Sequence, residues 1–86
     1  MKEFTFTVND PLGIHARPAG LLAKAAKAFG DTVVTVEKNG TAVKASQLMK
    51  LMSLGVKKGD EVVVSADGAD EEAAIAALKA FFEANL

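Results

Sequence analysis

Eighty-six residues, 50% apolar and 24% charged, suit one small, efficiently packed domain and are unlike the low-hydrophobicity, high-charge composition of disordered chains. With 10 basic and 11 acidic residues the formal charge is −1, and neither Trp nor Tyr is present for stacking, so a nucleic-acid binder is disfavoured. The absence of Cys excludes disulfides and thiolate zinc sites, a single His disfavours an imidazole metal site, and no apolar run is long enough to span a bilayer.

Met1–Thr5 lacks the apolar core of a signal peptide, so a cytoplasmic location without membrane insertion is expected. Phe4, Phe6 and Val8 alternate with Thr5 and Thr7, which predicts a strand over residues 2–8, ended by Asn9-Asp10-Pro11-Leu12-Gly13. From Arg17 to Phe29 an alanine-rich run with Leu21, Leu22, Ala25, Ala26 and Phe29 at helical spacing predicts an amphipathic helix stopped by Gly30, with Pro18 in its first turn. Thr32–Glu37, rich in β-branched residues, and Thr41–Val43 predict an antiparallel hairpin turning at Asn39-Gly40. Ser46 is placed to cap a short helix through Leu54, with Leu48, Leu51 and Met52 on one side and Gly55 as the left-handed residue that follows. Lys57-Lys58-Gly59-Asp60 turns the chain into a strand, Glu61–Ala66, whose valines suit the centre of a sheet. After Asp67-Gly68-Ala69, Asp70 is placed to cap a last helix with Glu71 and Glu72 in its first turn and Ala74, Ile75, Leu78, Phe81 and Phe82 as its apolar stripe. The order βαββαβα, without repeat or linker, predicts a single α+β domain over residues 1–86, a four-strand, mostly antiparallel sheet with three helices on one face.

Gly13-Ile14-His15-Ala16-Arg17-Pro18 places the only histidine where a loop enters a helix, beside backbone N–H groups that have no intrahelical partner and that attract anions. Those donors and the helix dipole favour both a neutral, nucleophilic ring and a phosphate carried on it. Arg17 adds a permanent positive charge for phosphoryl oxygens, and Pro18 pre-sets the helical backbone while leaving the donors of Ala16 and Arg17 free. Position alone does not separate such a nucleophile from a capping or surface histidine. Arg17, Gly20, Lys24 and Lys27 recur at steps of three and four, giving a positive helix face, open at Gly20, onto which an acidic partner can dock. Leu48, Met49 and Met52 cannot all face the core, and methionines on an exposed helix suit a surface that binds several partners. The same lysines also fit a solvated face, and methionines at this spacing also fit a core.

Gly13-Ile14-His15-Ala16-Arg17-Pro18-Ala19 resembles the active-site signature of the HPr family of the bacterial sugar phosphotransferase system, and the likeness runs along the whole chain, including Met52-Ser53-Leu54-Gly55. The resemblance implies an open-faced β-sandwich and phosphorylation of His15 on Nδ1 by enzyme I charged from phosphoenolpyruvate, followed by donation to sugar-specific IIA domains. It implies no cofactor and no metal. Many Gram-positive relatives also carry a regulatory serine, phosphorylated by a dedicated serine kinase, at the start of the second helix. Counting back from Met52-Ser53-Leu54-Gly55 puts Gln47 at that position, whereas counting forward from His15 puts Ser46 there.

A phosphoryl carrier that is not itself an enzyme is therefore the leading expectation. The competing class is a regulatory binding module of the same fold that uses His15 phosphorylation only as a signal. No long apolar helix or heptad run demands a second subunit, so a monomer is expected.

Overall fold

A computed structural model describes residues 1–86. In chain order it contains β1 (Lys2–Thr7), α1 (Ala16–Lys27), β2 (Thr32–Lys38), β3 (Thr41–Lys44), α2 (Leu48–Ser53), β4 (Glu61–Gly68) and α3 (Glu71–Asn85). The strands form one sheet in the order β1-β4-β2-β3, and every neighbouring pair is antiparallel. β4 holds the central place its valines suggested, with Val62, Val64 and Ala66 buried, and it continues through Asp67 and Gly68, two residues beyond the span predicted for it.

Residues of alternate register on the four strands turn one way and meet the helices. Phe4 and Phe6 of β1 present their rings to Phe82 of α3 at centroid distances of 5.8 and 5.4 Å, both edge-on, the arrangement that aromatic quadrupoles prefer. Leu22, Leu51, Leu78 and Phe82 are fully buried, so all three helices contribute to one core. The opposite sheet face has no helix on it, and there the hydroxyls of Thr35 and Ser65, register partners on β2 and β4, bond to each other.

The helix ends depart from the sequence reading in three places. α1 stops at Lys27 rather than at Phe29, because the Ala28 N–H is shared between the carbonyls of Lys24 and Ala25 and the Phe29 N–H bonds to Ala26, a tightened last turn that closes the helix before Gly30. α2 is capped at Gln47, not at Ser46. Gln47 has the extended backbone (φ −105°, ψ 97°) and its carbonyl accepts the Leu51 N–H, while Ser46 lies one residue outside, and no side chain caps the helix. Asp70 precedes α3 as expected, but its side chain makes no capping bond, since its backbone donates to Thr32 Oγ1 while Glu71 reaches back to the Gly68 N–H. The Asn39-Gly40 turn has both residues at positive φ (51° and 84°), as a two-residue hairpin connection requires, and Gly55 follows α2 at φ 71°.

Candidate functional site

The loop from Val8 to His15 is fastened at three points. The N–H groups of Asn9 and Asp10 donate to Leu86, the last residue of the chain, Gly13 donates to the Asp10 carbonyl, and Ile14 donates to Val56 at 3.1 Å. Gly13 cannot be replaced without movement: its φ is +66°, and a Cβ there would lie 2.0 Å from the Val56 carbonyl oxygen. This close approach seats the buried Ile14 and so aims the next residue, His15.

Val56 is itself braced. Lys38 on β2 donates to the Gly55 carbonyl at 2.7 Å and pairs with Asp60 at 2.8 Å, and Asp60 also accepts the Lys57 N–H. The Lys38 hydrogen bond, then the Lys57 N–H, hold the Asp60 carboxyl below its ordinary range.

His15 is the N-cap of α1, with extended backbone and its carbonyl accepting the Ala19 N–H at 2.9 Å. Its imidazole makes no capping bond, which leaves the ring free for other chemistry. Behind it the N–H groups of Ala16 and Arg17 have no acceptor in the helix, and Pro18 has no N–H at all. No acidic residue lies in the first turn to occupy that positive end. His15, Arg17 and Pro18 line a depression of about 310 Å³ together with Asp10, Leu21, Ala84 and Asn85. Arg17 takes part in no ion pair, so its guanidinium is available to an incoming anion. The imidazole is 35% exposed, and its Nε2 lies 3.9 Å from Asp10 Oδ2.

The family model for the phosphotransferase HPr component phosphorylation site matches residues 2–84. The chain belongs to the HPr family. It is 45% identical over 85 residues to the phosphocarrier protein HPr of Mycoplasma genitalium, covering 99% of this chain and 97% of the relative, and 41% identical to that of Mycoplasma pneumoniae, covering 96% and 94%. The crystal structure of HPr-C-His from Thermoanaerobacter tengcongensis superposes with a TM-score of 0.92 at 44% identity, covering 98% of this chain and 93% of that one. Membership makes this chain a phosphocarrier of the phosphotransferase system and not an enzyme in its own right.

In this HPr-family chain the remaining sequence-derived residues occupy two surfaces. Arg17, Lys24 and Lys27 are exposed along α1, and at the half-buried Gly20 between them an added Cβ would meet nothing within 4 Å. Leu48, Met49 and Met52 are all exposed on α2, Met49 by 76%, while Leu51 alone of that helix is buried. Because α1 packs against α2, the basic face and the apolar patch belong to neighbouring helices. Ser46 does not join the His15 depression. It is half-buried in a separate hollow of about 260 Å³ with Lys27, Gly30 and Lys44.

Four residues of the His15 depression escape the sequence reading. Leu21, assigned there to the core stripe of the helix, is 45% exposed and lines the depression instead. Asp10 reads only as a turn residue, and Ala84 and Asn85 sit at the far end of the chain, with no local pattern to connect them to residue 15. The one available signal was the helical offset of four between Arg17 and Leu21, which puts Leu21 on the site face.

Proposed function

We propose that this HPr-family chain takes a phosphoryl group onto Nδ1 of His15 from enzyme I charged by phosphoenolpyruvate and donates it to sugar-specific IIA domains. The observation that carries the proposal is an unused imidazole at the N-cap of α1, flanked by the free donors of Ala16 and Arg17 and by an unpaired guanidinium. In this reading the neutral ring attacks phosphorus, the Ala16 and Arg17 N–H groups and the Arg17 side chain receive the phosphoryl oxygens, and Pro18 holds the first turn in place. Exposure of His15 on an open depression allows both partners to reach the same atom in turn. Gly20, Lys24 and Lys27 with Leu48, Met49 and Met52 serve as the docking surface for both, the methionines adapting to different partner shapes. In this reading the protein acts as a monomer, since no long apolar helix or heptad run asks for a second subunit.

A dedicated serine kinase acting on Ser46 is a separate proposal, supported by the partial exposure of Ser46 and weakened by Gln47 holding the helix start. An unmodified Ser46 after incubation with that kinase and ATP removes it. The regulatory-module alternative predicts that phosphate on His15 stays there or is lost to water.

The deciding experiment is phosphorylation by enzyme I and phosphoenolpyruvate, read by intact mass under alkaline conditions for the wild type and His15→Ala. A gain of one phosphate in the wild type alone, passed on when a IIA domain is added, supports the carrier reading. No gain with a verified enzyme I overturns it.

A further inference from the structure

We infer that Asp10 is the positioning residue of the phosphoryl-acceptor histidine, its carboxylate holding the imidazole with the proton on Nε2 and the lone pair on Nδ1. The inference rests on the transfer reading above and adds a residue that neither the signature nor the helix start supplies.

Asp10 divides its carboxylate between two tasks. Oδ1 accepts the Leu12 N–H at 2.8 Å, which is the ordinary work of an aspartate in a turn, and Oδ2 is left facing His15 Nε2 at 3.9 Å. Its backbone is held on both sides, by donation to Leu86 at 2.8 Å and acceptance from Gly13 at 2.9 Å, so the carboxylate does not drift from the ring. It is the only acidic side chain in the depression, and it is mostly shielded, with 25% exposure. A separation of 3.9 Å is beyond hydrogen-bond length but well within the reach of a full charge, so the carboxylate acts on the free ring electrostatically, favouring the proton on the nitrogen that faces it. Which ring nitrogen of a histidine carries the proton is set by the partner of the other, and a carboxylate accepts only.

The charge balance gives the contact its purpose. When the Nδ1 lone pair forms the N–P bond, the bond from phosphorus to the donor breaks and its electron pair leaves with the donor. The ring becomes cationic, with its proton still on Nε2, and Asp10 opposes that charge. In the onward step the N–P electron pair returns to Nδ1 and the neutral ring is restored, with no proton gained or lost in either direction. Arg17 thus answers the phosphoryl oxygens and Asp10 answers the ring.

The test is Asp10→Asn, whose amide oxygen still accepts the Leu12 N–H while the charge facing Nε2 is removed. Long-range proton–nitrogen spectra of the labelled, unphosphorylated proteins at about pH 9, where an ordinary imidazole is neutral, report the ring tautomer. We expect the wild type to be mainly Nε2–H, the variant to shift measurably toward Nδ1–H, and its single-turnover phosphorylation by enzyme I to slow by roughly three- to tenfold. The wild-type spectrum is a test that needs no variant: a ring without preference for Nε2–H overturns the inference. So does an unchanged tautomer in Asp10→Asn with the loop amides undisturbed, and this outcome leaves the transfer reading standing. A wild type that takes no phosphate from a verified enzyme I instead overturns the transfer reading, and the catalytic half of this inference falls with it.

Discussion

In the proposed transfer the first turn of α1 offers a phosphoryl group on His15 two kinds of positive charge. The backbone donors of Ala16 and Arg17 are fixed dipoles that cost nothing to orient, whereas the guanidinium is a mobile full charge with no internal partner to leave. Removing it should therefore act on transfer and not on folding. Arg17→Ala is expected to slow phosphorylation of His15 about 10- to 100-fold, the equivalent of one charge-assisted hydrogen-bond set of about 1.5–3 kcal/mol, with the urea midpoint nearly unchanged because the side chain is exposed. Arg17→Lys should recover only part of the rate, since a point charge does not reproduce the planar fork. Stopped-time phosphorylation assays beside urea titrations check both. A variant that unfolds earlier yet transfers at the wild-type rate would assign Arg17 a structural role instead.

Among the secondary-structure elements, hydrophobic period fixed more than capping did. The alternation of Phe4, Phe6 and Val8 and the valines of residues 62–64 report burial patterns that suit a strand, and Asn39-Gly40 reports the positive φ of a two-residue turn. All three are found, although β1 ends at Thr7, one residue short of the predicted span, with Val8 buried just beyond it. The start of α2 was misplaced by one residue because Ser46 is a strong capping type, and a preference for a cap is small beside the packing of Leu51 and Ala45 that sets the helix phase. That leaves an unused opportunity. Gln47 has cap geometry but no capping bond, so Gln47→Asp should raise stability by about 0.5–1 kcal/mol, its carboxylate accepting an orphan N–H and meeting the positive helix end. A urea midpoint that rises with an unchanged slope shows it, and a midpoint at or below that of the wild type shows that the α2 start is held by tertiary contacts alone.

At the scale of the whole molecule, the site joins the two ends of the chain. The signature around His15 was legible because its residues are consecutive, while Ala84, Asn85 and Leu86 reach the same place only through the docking of α3, which no local pattern encodes. Two ion pairs tie distant segments in a related way: the Met1 ammonium to Glu71 at 3.1 Å joins the start of β1 to α3, and Lys38 to Asp60 joins the hairpin to the turn before β4. Both carboxyls are held below their ordinary range, Glu71 first by the terminal ammonium and then by the Gly68 N–H, and Asp60 by Lys38 and Lys57. A carboxyl with a lowered value in the fold binds fewer protons there than in the unfolded chain, so stability rises with pH across this range. The contribution is complete only above about pH 5.5, roughly one unit above the ordinary carboxylate values, where unfolded carboxylates are ionised, and it is lost as the pH falls through those values and then the lower folded ones. Thermal midpoints between pH 7 and pH 2.5 should thus fall steeply below about pH 4.5 in the wild type. Asp60→Asn and Glu71→Gln should start lower at neutral pH and fall less steeply in acid, and added salt should narrow the difference because both groups lie near solvent. An Asp60→Asn variant whose acid limb parallels the wild type would mean that this carboxylate does not couple folding to protons, and the bracing of Val56 beneath the His15 loop would then rest on the Lys38 bond to Gly55 alone.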